Sequence, residues 1–291
     1  MGGHDLHPEQ LSEAIYKACM AELDAPKPGN VHKFKSGHDM DWQQFEASAK
    51  AIAPILVQMD FSFGQRVLRA VEATRAVAGC NTNLGIILLA APLAEAALRH
   101  KTGSLRRRVT AVLADFSKED TEGVFKAIAL ASPGGLGAHP DHDVRNPATI
   151  SLMDAMTLAA PKDSIAKQYC TGFADIVGYG SRRVRWAKRR WPTCPWAPAL
   201  WSYLGFLGHM PDSHVERKYG SAPAEHIMRI GKRLDRALLR TTDPEKLLPA
   251  LLSIDEDFKT QQINPGTSAD MTVGSLLSAN LMAMITPGKL E

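Results

Sequence analysis

The 291-residue sequence has little imbalance of charge: 34 Lys and Arg stand against 31 Asp and Glu, a formal charge of +3. That excess is too small to make nucleic acid or an anionic membrane the default partner, so such a partner would have to be read from a local patch. Cysteine is scarce as well. The four present, Cys19, Cys80, Cys170 and Cys194, lie far apart, with no C-x-x-C pair and no His-rich spacing. The usual zinc motifs are therefore excluded, and reduced thiols are expected. No uninterrupted apolar run reaches the roughly 18 residues of a membrane span, and the start, MGGHDLHPEQ, has neither a basic nor an apolar stretch. A cytoplasmic location follows as the expectation. Also nearly absent is period-two alternation of Val, Ile, Thr and aromatics, which argues against a sheet. No disordered linker, repeat or low-complexity tail interrupts the chain.

What is present is helical spacing. Leu11, Ile15 and Ala18 repeat at intervals of four and three, as do Phe45, Ala49, Ile52, Leu56 and Met59, and Leu152, Met156 and Ala159. Ile227, Ile230, Leu234 and Leu238 line one face in the same way, and so do Val273, Leu277, Asn280 and Met284. Breakers divide these blocks: PKPGN, AGCN, SPGGLG, WPTCPWAP, NPGT and TPG. Pro92, inside the apolar stretch from Leu84 to Leu98, is expected to kink or split its helix. The pattern predicts an all-α fold, one domain over residues 1–291 with roughly ten helices.

Several breakers share one arrangement: Gly or Pro, then polar residues, then a helix start. It aims free backbone N–H groups and the positive end of a helix dipole at the junction, which favours phosphate or carboxylate. PKPGNVH, GHDMDWQQF, GCNTNLG, SPGGLG and NPGTSAD are five such places. Each by itself is better read as an ordinary turn, with Ser268 or Asp270 as a helix cap.

Taken in order, the motifs resemble those of the triphosphoribosyl-dephospho-CoA synthases. Four stretches carry the resemblance: KPGNVHKFKSGHDMDWQQFEASA from Lys27, GCNTNLGIILLAAPLA from Gly79, PDSHVERKYG from Pro211 and NPGTSADMTVGSLL from Asn264. The last, against a family pattern SPGGSADLL, is the most specific. Departures are clear too. Where the family has NTHKG, this chain has Asn81, Thr82, Asn83, Leu84 and Gly85, so a His and a basic residue are missing. Gly37-His38 replaces a His-Lys pair before Asp39, Met40 and Asp41, and His214 stands in place of Asn. The segments around residues 132–144 and 163–177 look like those of a divergent branch found in archaea and in bacteria that make tetrahydromethanopterin.

The resemblance implies an enzyme that cleaves the N-glycosidic bond of ATP. Adenine would leave and the triphosphoribosyl unit would pass to a ribose-type hydroxyl of dephospho-CoA or of a tetrahydromethanopterin precursor. Such chemistry calls for a carboxylate near an oxocarbenium-like centre, a proton donor for the base and a cation on the triphosphate. Asp39, Asp41 and Asp270 are the implied catalytic and Mg²⁺-binding carboxylates, with His38 beside them as an acid–base candidate. Lys27, Gly29, Asn81, Thr82, Arg217, Gly266 and Ser268 are the implied contacts for ATP and its phosphates. Expected partners are ATP and a small-molecule hydroxyl acceptor, with neither nucleic acid nor membrane, and a homodimer is compatible with this reading. A non-catalytic nucleotide-binding paralogue is the alternative, because of the altered NTHKG element.

Two further clusters have plainer readings. His139, Asp141, His142 and Asp143 lie within five residues but fit no established metal spacing, so a Gly-rich surface loop with Asp143 as a helix cap is expected. SRRVRWAKRRW, from Ser181, carries six basic residues and two tryptophans. At helical spacing its charges spread into solvent while Trp186 turns inward, forming a basic face at the entrance for an anionic substrate.

Overall fold

The computed structural model describes residues 6–100, 102–132 and 144–285. The cluster His139–Asp143, its cap and the SPGGLG junction fall largely or wholly outside those residues. Among the described residues there is no strand, and extended pairing is limited to isolated bridges, His32 with Lys35 and Gly37 with Met40.

The described chain forms fourteen α-helices rather than ten. They are α1 (Pro8–Leu23), α2 (Trp42–Leu56), α3 (Phe63–Ala78), α4 (Leu84–Arg99), α5 (Leu105–Leu113), α6 (Lys118–Ala131) and α7 (Leu152–Ala159). There follow α8 (Ser164–Thr171), α9 (Ser181–Arg190), α10 (Ala197–His209), α11 (Ser213–Tyr219), α12 (Ser221–Arg240), α13 (Leu248–Thr260) and α14 (Gly266–Ile285). A π-helical segment, Ala174–Gly180, joins α8 to α9, and a 3-10 turn, Pro244–Leu247, precedes α13. The extra elements arise from caps. Ser104, Ser117, Ser151, Asp163 and Asp212 each accept a backbone N–H of the turn that follows, restarting the helix over segments too short to show a clear period.

Helices α4, α10 and α14 are buried almost all round, and the amphipathic helices pack about them. One hydrophobic cluster draws residues from Leu11 through Leu281. Two polar residues inside α14 bond back to their own helix. The Thr272 hydroxyl donates to the Ser268 carbonyl and that of Ser275 to the Met271 carbonyl, both at 2.8 Å.

Pro92 does not split its helix, for α4 runs unbroken from Leu84 to Arg99. Proline removes the N–H that would have bonded Leu88, four residues back. The vacant Leu88 carbonyl instead accepts the Tyr169 hydroxyl at 2.6 Å, inside the core. Tertiary packing thus repairs what the sequence breaks. Tyr169→Phe should leave that buried carbonyl without its donor and lower stability by about 1–3 kcal/mol. Urea unfolding checks this, and an unchanged midpoint would show that the helix does not need the repair.

The basic run becomes α9 and is only partly solvated. Arg182, Arg189 and Arg190 are exposed, but the Arg183 guanidinium lies 4.0 Å from the Trp201 ring centre and pairs with Asp235 of α12. Trp186 packs between Trp191 and Trp201.

Candidate functional site

Helices α4, α8, α11 and α14 all begin at one place. Asp212 ties two of the starts together: Oδ1 accepts the His214 and Val215 N–H groups at 3.0 and 3.2 Å, and Oδ2 accepts the Ser268 N–H and hydroxyl, both at 2.7 Å. The Ser164 N–H reaches the Ser213 hydroxyl at 3.3 Å, which meets the Thr267 hydroxyl at 3.0 Å. Asp163 caps α8 through Ile165 and Ala166, and its second oxygen takes Arg217 of α11 at 2.6 Å. In the first turn of α4, Gly85 leaves room for Asp270 and Ile165. A Cβ there would overlap the Asp270 carboxylate.

Asp270 sits one turn inside α14 with no hydrogen-bond or ion-pair partner among the described residues. Burial holds its proton well above the ordinary carboxylate range, and the nearby acids Glu22, Asp212 and Asp163 push the same way, opposed by Arg217. The surroundings therefore disfavour the ionised form of Asp270, at a place where four helices begin. Cys19 of α1 borders the same space. Its thiol is pushed up by burial first, and by Glu22 and Asp270 after that. A cavity of about 10 Å³, room for one water, lies beside Cys19, Glu22, Phe45 and Asn83.

The loop between α1 and α2 closes the site from the other side. PKPGNVH does not open a helix. It forms a buried turn in which the Lys27 ammonium pairs with Glu22 and donates to Asn30 Oδ1 at 2.9 Å and to the Val31 carbonyl at 2.7 Å. Burial pushes Glu22 up and Lys27 down, with the ion pair opposing both. All three ammonium hydrogens are thus directed at protein acceptors. Gly29, at φ 83°, donates its N–H to Asp255 of α13 at 2.9 Å. A side chain at Gly29 would strike Phe258, Pro265 and the Ile263 carbonyl, so the turn requires glycine there. Asp255 also receives Lys259 at 2.9 Å and faces His32 at 3.3 Å. Burial lowers the His32 pKa to about 4 despite that carboxylate. The Pro28 carbonyl accepts the Tyr203 hydroxyl at 2.7 Å, fixing the turn against α10.

The other expected residues divide. Ser268 and Gly266 lie in the first turn of α14, and Arg217 reaches the same junction. Asn81 accepts the Leu84 N–H at 3.1 Å and so caps α4, while Thr82 hydrogen-bonds Ser48 at 2.7 Å. His38 is half-buried with Nε2 on the Gly29 carbonyl at 2.7 Å, and burial lowers its pKa. Asp39 and Asp41 are exposed, and Asp41 is engaged as the cap of α2, accepting the Gln44 N–H at 3.0 Å. No group of three or more His, Cys, Asp or Glu among the described residues is arranged to hold a metal, so Asp39, Asp41 and Asp270 do not meet in a preformed cluster.

Sequence reasoning missed Glu22, Asp163, Asp212 and Asp255. Glu22 continues the inward stripe of Leu11, Ile15 and Ala18 by another four residues, and an acid at an inward position was its signal. Asp163 and Asp212 share an Asp-Ser pair at a helix start.

Residues 8–286 match the family model described as ATP:dephospho-CoA triphosphoribosyl transferase. The fold is similar to the crystal structure of a protein from Archaeoglobus fulgidus, provisionally described as a triphosphoribosyl-dephospho-CoA synthase. The TM-score is 0.60 at 23% identity, covering 81% of this chain and 98% of that one. Comparison with the curated proteins gives no match. Among the described residues no helix is long and apolar enough to cross a membrane.

Proposed function

Because the chain belongs to the ATP:dephospho-CoA triphosphoribosyl transferase family, we propose that it moves the triphosphoribosyl unit of ATP to a ribose hydroxyl of dephospho-CoA and releases adenine. The observation that carries this reading is the meeting of four helix starts around Asp270, whose surroundings raise its pKa. Helix starts suit an anionic chain of phosphates through the first-turn N–H groups that Asp163 and Asp212 do not already take, with Arg217 as a bidentate donor once it turns from Asp163. The acid suits the leaving base. In the proposed step the C1′–N9 bond of ATP breaks and a C1′–O bond forms to the acceptor. Asp270 gives its proton to adenine and is reprotonated by the proton that the acceptor hydroxyl loses, so the sum balances.

Mg²⁺ belongs to this proposal as part of the ATP substrate, where it offsets phosphate charge. It is assigned no resident cage, since Asp41 is spent on a helix cap and Asp39 lies in the exposed turn. Lys27 has a supporting role, neutralising Glu22 and shaping the turn.

A second reading, a nucleotide-binding paralogue without turnover, is favoured by one feature. Where the family motif carries His and a basic residue, Asn83 is buried and accepts the Thr74 hydroxyl at 2.9 Å, and Leu84 is buried beside it. Incubation with ATP, Mg²⁺ and either dephospho-CoA or a tetrahydromethanopterin precursor, followed by chromatography for adenine, separates the two. Adenine appearing only with an acceptor supports the transferase and identifies which acceptor is used. ATP binding without adenine, whichever acceptor is supplied, supports the paralogue.

A further inference from the structure

A groove of about 310 Å³ runs between α12 and α13. Ile227, Ile230, Leu234 and Phe258 form its floor, while His226 and Gln261 stand at its rim. We infer that this groove receives the tail of the acceptor, a flexible chain of methylenes and amides attached through a diphosphate, while the acceptor's ribose reaches the Asp270 site. The inference rests on the transferase reading and extends it to residues that no part of that reading uses.

Three observations support it. The cavity beside Glu22 and Asn83 holds about one water, so the body of an acceptor of this size must lie elsewhere. The groove adjoins the site through shared elements. The Phe258 ring that floors it also closes on the Gly29 turn, where a Cβ would lie 2.8 Å from Cδ2, and Asp255, one turn earlier on α13, holds the Gly29 N–H. Next to Gln261, the Tyr219 hydroxyl donates to the Gln262 carbonyl at 2.8 Å. The helix that carries Arg217 therefore ends against the groove's Gln261 edge. Finally, the lining suits the tail of the ligand: apolar side chains for methylenes and branched methyls, and amide and imidazole groups for amides, with the opposite charges of Arg233 and Asp257 also lining the groove.

The test is equilibrium binding of dephospho-CoA and of ADP, measured by calorimetry on the full chain and on Ile230→Trp, which would fill the floor. Gln261→Trp, at an exposed rim position, covers the same space without touching the core. Circular dichroism confirms that each variant folds. Both should bind dephospho-CoA on the order of tenfold more weakly, equivalent to losing the burial of about two methylenes. ADP, which lacks the tail, should bind each of them as it binds the parent chain. Unchanged dephospho-CoA affinity in folded Gln261→Trp would overturn the groove assignment while leaving the transferase reading intact. A parent chain that binds no dephospho-CoA at all would overturn the groove assignment and dephospho-CoA as the acceptor, and the adenine assay decides separately whether the chain is a transferase.

Discussion

Asp270→Asn should lower adenine release by on the order of 10²–10⁴-fold while leaving a folded protein that is more stable than the parent at neutral pH. The two halves of this result have one cause. In the folded chain burial and the acids Glu22, Asp212 and Asp163 raise the Asp270 pKa far above its ordinary value of 3.8. Below that value the carboxyl is protonated in both folded and unfolded chains and costs nothing extra. As pH rises past it, the unfolded chain loses the proton that the folded chain keeps, and stability falls until the folded group ionises as well. Asparagine has no proton to lose, so the penalty vanishes. Thermal melts of parent and variant should therefore converge near pH 4 and separate in the variant's favour toward neutrality. Chemistry moves the other way, for an amide cannot pass a proton to departing adenine. Retained turnover in a folded Asp270→Asn protein would remove the acid role assigned here. A variant less stable at every pH would instead mean that Asp270 has a structural partner.

Lys27→Met should cost about 3–5 kcal/mol, the range for removing one partner of a buried ion pair. Glu22 would then face Cys19 and Asp270 with no cation to neutralise it, and Asn30 Oδ1 and the Val31 carbonyl would lose their donor. The sign of the pH dependence follows. Glu22 is already raised above 4.5 by burial, and without Lys27 it rises further. The deficit should be small near pH 4 and grow as pH increases past the unfolded value. Denaturant unfolding at two pH values measures it. The double change Glu22→Met with Lys27→Met should recover most of the loss, because no unpaired charge remains in the core. Little difference between Lys27→Met and the parent would show that the pair contributes nothing net to stability.

Helical periodicity was enough to identify the amphipathic helices. The faces of Leu11, Ile15 and Ala18, and of Ile227, Ile230, Leu234 and Leu238, all turn inward or toward the core. Their number was harder to read, since α8 and α11 are shorter than two full apolar repeats and are set by Asp caps. The motif around Asp270 was legible as a junction because Asn264, Pro265 and Gly266 must break one helix and start another. Its electrostatic character was not. It depends on Glu22, Asp163 and Asp212, which approach Asp270 only through packing. Lys27 shows the same boundary from the other side. A lysine on a Pro-Gly turn resembles a phosphate contact, yet its neighbours on an earlier helix consume its hydrogens. The holder of that turn, Asp255, lies 226 residues from Gly29, and no local pattern announces such a pairing.

The common origin of α4, α8, α11 and α14 bears on how the chain tolerates change in length. Arg217 and Asp270 are each the fifth residue of their helix, one turn beyond the start, and the starts are set by caps or a glycine. Adding or deleting a turn at a distal tip alters only where the preceding rod stops; the starts stay in register. Such a protein can drift in size and surface over long divergence while the few residues at its shared root keep their mutual distances.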